Sequence, residues 1–139
     1  MKSMFASATV LIFSNFCGAQ LSQHYDCAQV DKMFIKSEVR PKFGSGTTGL
    51  REYLDSSFKK INYSFNAKVL VFINIDSTGS PCCHQILKSF DGTVDFDTLK
   101  RVVDRMPRWS SAKQNGHNVN SYVTVQLFYT EDKLNVKLN

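Results

Sequence analysis

The sequence predicts an α+β domain: two helices packed on one face of a small, about three-stranded antiparallel sheet, in the order β(short)-α-β-β-α-β. Three observations predict it. Residues 67–76 alternate as a covered strand, with Val69, Val71, Ile73 and Ile75 on one face and Leu70 and Phe72 on the other. Residues 119–128 alternate apolar and polar, as a half-buried strand does. Between and before them lie two stretches with apolar residues at helical spacing.

Each element follows from local chemistry. Val39-Arg40-Pro41-Lys42-Phe43 reads as extended, because the residue before proline avoids the helical region. Gly44-Ser45-Gly46 breaks that segment, and Thr47 or Thr48 is placed to cap a helix with Glu52 in its first turn. Leu50, Tyr53, Leu54, Phe58 and Ile61 give that helix an apolar face. Asp76-Ser77-Thr78-Gly79-Ser80 carries turn chemistry, so the strand at 67–76 and its return at 81–89 form a hairpin. Asp95 is the expected N-cap of the second helix, with Asp97 in its first turn and Phe96, Leu99, Val103 and Met106 along its apolar face. Pro107 stops it, and Trp109 is expected to fold back over its end. Gly116 turns the chain into the last strand.

The front of the chain bears on compartment. Residues 1–19 read as a secretory signal peptide: Lys2, an apolar run from Met4 to Phe16, and small residues at Cys17-Gly18-Ala19 before the cleavage point. The alternatives are retention as a membrane anchor and acylation on Cys17, against which Phe16 stands where lipoprotein processing wants a small residue. Cleavage leaves about 120 residues, enough for one domain with a core. Residues 20–37 are an N-terminal extension, 38–130 the domain, and 131–139 a short polar tail. Three cysteines then remain. An oxidising compartment favours one bridge, from Cys27 to Cys82 or Cys83; the other expectation is three free buried thiols.

The formal charge of +5 is spread among acids, with no basic run, which argues against nucleic acid. No Gly-rich phosphate loop, paired-acid motif or nucleophile elbow appears, so neither an enzyme nor a small-molecule substrate or cofactor is expected. Cys82 and His84 share a strand face, but two ligands make a thin case for Zn or Cu. His117 and the aspartates at 91, 95 and 97 read as turn and cap residues.

Several of these motifs occur in a familiar order. Pro41-Lys42-Phe43 with Gly46, then Leu50 and Tyr53-Leu54, then the strand ending Ile75-Asp76 with Gly79, then Arg101-Val102-Val103 with Met106-Pro107-Arg108-Trp109, then Gly116 and Val119 together resemble the TonB C-terminal domain. That family belongs to the periplasmic energy-transducing machinery of Gram-negative bacteria, and small exported variants occur in the Bacteroidetes. The likeness covers about two-thirds of the chain. The chain departs from the family pattern at Gly44, at Asn62 to Phe65 and at Ser110-Ser111-Ala112, where proline is usual, and in Cys82-Cys83-His84.

The resemblance implies a periplasmic interaction module in envelope transport, one that binds an extended peptide at a sheet edge. The N-terminal box of an outer-membrane transporter is the type of partner, or another envelope protein. The expected edge is the last strand, with Val119, Asn120, Tyr122, Thr124, Gln126 and Phe128 as the peptide-binding residues. Covering of that strand by the C-terminal tail, or by a second copy in a homodimer, is the competing expectation. Without a proline-rich spacer, stand-alone binding or scaffolding is expected rather than transmission of force.

Overall fold

The computed structural model describes residues 21–28 and 33–139. The expected signal peptide lies outside these residues. Among them are seven strands and two helices: β1 (Ser22–His24), α1 (Thr47–Lys60), β2 (Val69–Ile75), β3 (Pro81–Lys88), α2 (Phe96–Asp104), β4 (Ala112–Gln114), β5 (His117–Val119), β6 (Ser121–Thr130) and β7 (Lys133–Leu138). The class is α+β as expected, but the sheet is larger. Five strands run antiparallel in the order β1-β3-β2-β6-β7, and β4 and β5 form a separate ribbon.

β2 holds the centre, and its burial alternates strictly, with Val69, Val71, Ile73 and Ile75 inside. Val123, Val125 and Leu127 of β6, Cys83 and Ile86 of β3 and Leu134 of β7 extend that buried face. Leu50, Leu54 and Phe58 of α1, with Leu99, Val102 and Val103 of α2, complete one continuous core against it. The face carrying Leu70, Phe72, Tyr122, Thr124, Gln126 and Phe128 is only half-buried.

The two helices start differently. Asp95 caps α2 as expected: its side chain accepts from the Thr98 backbone N–H, and Asp97 lies in the first turn. The capping expected of Thr47 or Thr48 does not occur. Thr47 is already helical, and Gly46 stands at the cap position with φ 90°, a conformation that costs glycine little. No acid occupies that first turn either; Lys59 and Lys60 do sit at the C-terminal end, where the helix dipole favours cations.

Two of the sequence motifs meet in space. The Asp76 carboxylate accepts hydrogen bonds from the backbone N–H groups of Thr78 and Ser80 and from the Thr78 hydroxyl. This turn presents Gly79, at φ +87°, directly to Trp109, whose backbone N–H donates to the Gly79 carbonyl at 2.8 Å. Trp109 is 3% exposed and packs edge-on to Phe43 with ring centroids 5.4 Å apart. The β2–β3 turn, the end of α2 and the extended segment before α1 are therefore joined at one point.

Candidate functional site

A peptide that adds to a sheet needs a strand with unpaired N–H and C=O groups. The location of such an edge decides where a partner can bind. β6 is not an edge. Its residues pair with β2 on one side, from Val69–Leu127 to Ile75–Ser121, and with β7 on the other, from Val125–Leu138 to Thr130–Lys133. The expected edge position of Tyr122, Thr124, Gln126 and Phe128 is thus corrected. Val119 belongs to β5, paired with Ala112, and Asn120 lies between β5 and β6, its side chain accepting from the Ser77 N–H at 2.9 Å.

The strand that covers β6 is built from the segment read as a tail. Thr130 pairs with Lys133, so the turn contains only Glu131 and Asp132, both at positive φ (52° and 63°). Positive φ at both central positions is the geometry of a type I′ hairpin, whose twist matches the flanking strands. Leu134, Val136 and Leu138 then alternate onto the helix side and join the core cluster.

The register fixes which groups β7 offers outward. Asn139 and Thr124 exchange both backbone bonds, at 2.9 and 3.3 Å. In an antiparallel ladder such pairs alternate with residues whose groups point away. Asn135 and Lys137 therefore bond to β6, while the N–H and C=O of Leu134, Val136 and Leu138 point out of the sheet. Among the described residues no strand lies on that side.

Of the predicted residues, Thr124, Gln126 and Phe128 still share a surface beside this edge. Lys137 lies across from Gln126, Asn135 across from Phe128, and Thr124 and Gln126 across from Phe72 and Leu70. The Phe128 ring is flanked by two ammonium groups, Lys68 Nζ at 5.7 Å and Lys137 Nζ at 5.8 Å from its centroid. Near the β6–β7 turn an open groove of about 1100 Å³ is lined by Asp55, Tyr63, Phe65, Tyr129, Glu131 and Asp132, among others. Its carboxylates do not converge on a reactive group: Asp55 pairs with Lys59 at 2.9 Å, and the Tyr63 hydroxyl donates to the Asp95 carbonyl. Burial raises the Tyr63 and Tyr129 hydroxyls above their ordinary values, with Asp95 and Asp55 respectively adding to the shift.

The opposite border is the short strand β1, which is fastened covalently. β1 pairs with β3 from Ser22–Leu87 to His24–Gln85, and the Tyr25 N–H continues the ladder to the His84 carbonyl. The same register carries Cys27 to Cys82, and these two form the disulfide. Of the two bridges expected, it is therefore Cys27–Cys82 that forms, and Cys83 is a buried free thiol. Burial first and the Asp104 carboxylate second push that thiol up to about 12, which leaves it protonated and unreactive at neutral pH. The Tyr25 side chain pins this edge to α2: its hydroxyl donates to Asp97 and Lys100 lies over its ring. His24 and His84 meet edge-on with centroids 6.0 Å apart, but no group of three or more metal-ligating side chains occurs among the described residues.

Compared with protein-family models, curated proteins and solved structures, the chain shows no match. No helix among the described residues is long and apolar enough to cross a membrane.

Proposed function

We propose that this protein is a non-enzymatic interaction module of the cell envelope, acting in the periplasm, which captures an extended peptide by adding it to β7. The observation that carries this reading is the outward row of N–H and C=O groups on Leu134, Val136 and Leu138. The surrounding surface supports it. A peptide laid beside β7 would place alternate side chains near Lys137, Gln126 and Phe128 on the open face, and the others near α1. The partner class is that implied by the resemblance to TonB C-terminal domains: a terminal segment of an outer-membrane transporter or of another envelope protein. The same groups also serve a second copy, so β7-to-β7 pairing is the competing reading.

A proline at residue 136 tests the proposal. Val136 donates its N–H outward, so Val136→Pro removes one outward donor and puts a ring in the incoming strand's path while leaving the β6–β7 ladder intact. Titration calorimetry with N-terminal transporter peptides should show binding by the wild type and a loss of about tenfold or more in the variant, one lost hydrogen bond plus the clash. Unchanged binding by a folded Val136→Pro protein would remove β7 as the site. Light scattering across protein concentration separates peptide capture from pairing of copies.

A further inference from the structure

A second surface, on the β4–β5 ribbon and the segment that pairs with it, combines exposed cations with exposed apolar side chains. The segment from Val39 to Lys42 runs antiparallel to residues 110–113: Val39 and Lys113 exchange backbone bonds at 3.0 and 2.9 Å, and Lys42 and Ser110 do so at 3.0 and 2.8 Å. β4 continues this pairing into β5, where Lys113 faces Asn118. The pairing brings Arg40, Lys42 and Lys113 together, with Lys36 and Arg108 a few residues from its two strands, and all five are exposed.

Arg108 lies near enough to Asp76 to help hold its carboxyl low, but no carboxylate of the described residues forms an ion pair with the other four. The ion pairs among the described residues are Lys59–Asp55 and Lys100–Asp104, and neither involves this ribbon. The acid within it, Glu38, is engaged by an amide: its carboxylate accepts from Gln114 Nε2, and its N–H donates to Gln114 Oε1. Interleaved with the cations are two of the most exposed large apolar side chains of the domain, Ile35 at 78% and Val39 at 52%. Exposed aliphatic groups cost nothing to cover, and cations without carboxylate partners seek anions.

We propose that this ribbon docks on an anionic phospholipid surface. Ile35 and Val39 enter the headgroup boundary, while Lys36, Arg40, Lys42 and Lys113 engage the lipid phosphates. Apolar insertion combined with basic contacts is the chemistry of peripheral membrane attachment. A soluble polyanion accounts for the cations but leaves the two aliphatic side chains in water.

Sedimentation of the whole domain with phosphatidylcholine vesicles, with and without about 30% phosphatidylglycerol, tests this, since the attraction depends on anionic lipid. Binding is expected only with the anionic lipid, and it should weaken in half-molar salt. Each cation near such a surface contributes roughly fivefold to affinity. Lys36→Gln, Arg40→Gln and Lys113→Gln together should therefore weaken binding about a hundredfold. Lys59→Gln, Lys60→Gln and Lys133→Gln, which remove the same charge elsewhere, should change it less than about fivefold. Ile35→Ser with Val39→Ser should weaken vesicle binding without altering retention on heparin. The proposal is overturned if neutral vesicles bind equally well, if no vesicles bind, if both charge triples act alike, or if the serine pair has no effect.

Discussion

Substituting alanine for Gly79 tests the junction between the β2–β3 turn and Trp109. An alanine Cβ at this position would stand 1.9 Å from the Trp109 carbonyl oxygen, where ordinary contact begins at 3.4 Å. The carbonyl, or the turn, must therefore withdraw by about 1.5 Å, the difference of those distances. Moving it breaks the 2.8 Å bond from the Trp109 N–H to the Gly79 carbonyl, worth about 1 kcal/mol. Holding alanine at φ +87° adds roughly 1–2 kcal/mol. Some loss of packing between Trp109 and Phe43 follows, so the total is about 2–4 kcal/mol. The chain has a single tryptophan, so urea unfolding followed by its fluorescence reads the affected site directly. Gly79→Ala should lower the midpoint without changing the slope, and lower the thermal midpoint by roughly 10 °C. Gly44→Ala is the control: nothing lies within 4 Å of its added Cβ, and the change should be neutral or slightly stabilising. A Gly79→Ala protein within about 0.5 kcal/mol of wild type would refute the tight turn–tryptophan contact.

The Cys27–Cys82 bridge closes a separation of 55 residues, for which chain entropy gives an upper value of about 4 kcal/mol. The Cys27→Ser, Cys82→Ser double variant should lose stability up to that amount in equilibrium unfolding, and β1 amides should lose hydrogen-exchange protection before those of β2. Acid stability follows from two carboxylates. Burial acts to raise Asp76, but the bonds from Thr78 and Ser80 outweigh it, and the hydroxyl and N–H of Thr98 hold Asp95 low. Depressed groups contribute above the unfolded value of about 3.9 and lose that contribution as pH falls through their folded values. Unfolding free energy should thus decline below about pH 4, and Asp76→Asn with Asp95→Asn should flatten that decline. The buried Cys83 thiol should resist a thiol reagent at pH 8 in the native protein and react stoichiometrically once urea unfolds it.

The well-patterned centre was legible and the edges were not. β2, the hairpin to β3, both helices and the alternation of β6 follow from periodicity, because each buries a full face. β7 was concealed by its turn: Glu131 and Asp132 adopt positive φ without the glycine or asparagine that usually announces it. The alternation of Leu134, Val136 and Leu138 was the available signal, and it places the free edge one strand beyond Tyr122 and Gln126. β1 is three residues long, too short for any period, and its position is set by pairing with β3 and by the disulfide. β4 and β5 are equally short; Asn115-Gly116 marked their turn, but not the strands on either side. The missing cap at α1 has a different cause: the backbone twist at Gly46 replaces the side-chain cap expected of a threonine.

The two borders of the sheet are mechanically unequal. Among the described residues β1 and β7 are the first and last strands, and they occupy opposite borders. A pull on Ser22 would peel β1 from β3 pair by pair until it reached the covalent stop at Cys27–Cys82. A pull on Asn139 meets no such stop: β7 can unzip from Thr124 back to the Glu131–Asp132 turn, one ladder rung at a time. Under tension, opening at the N-terminal border is therefore arrested at Cys27–Cys82, whereas at the C-terminal border the whole of β7 can be drawn off.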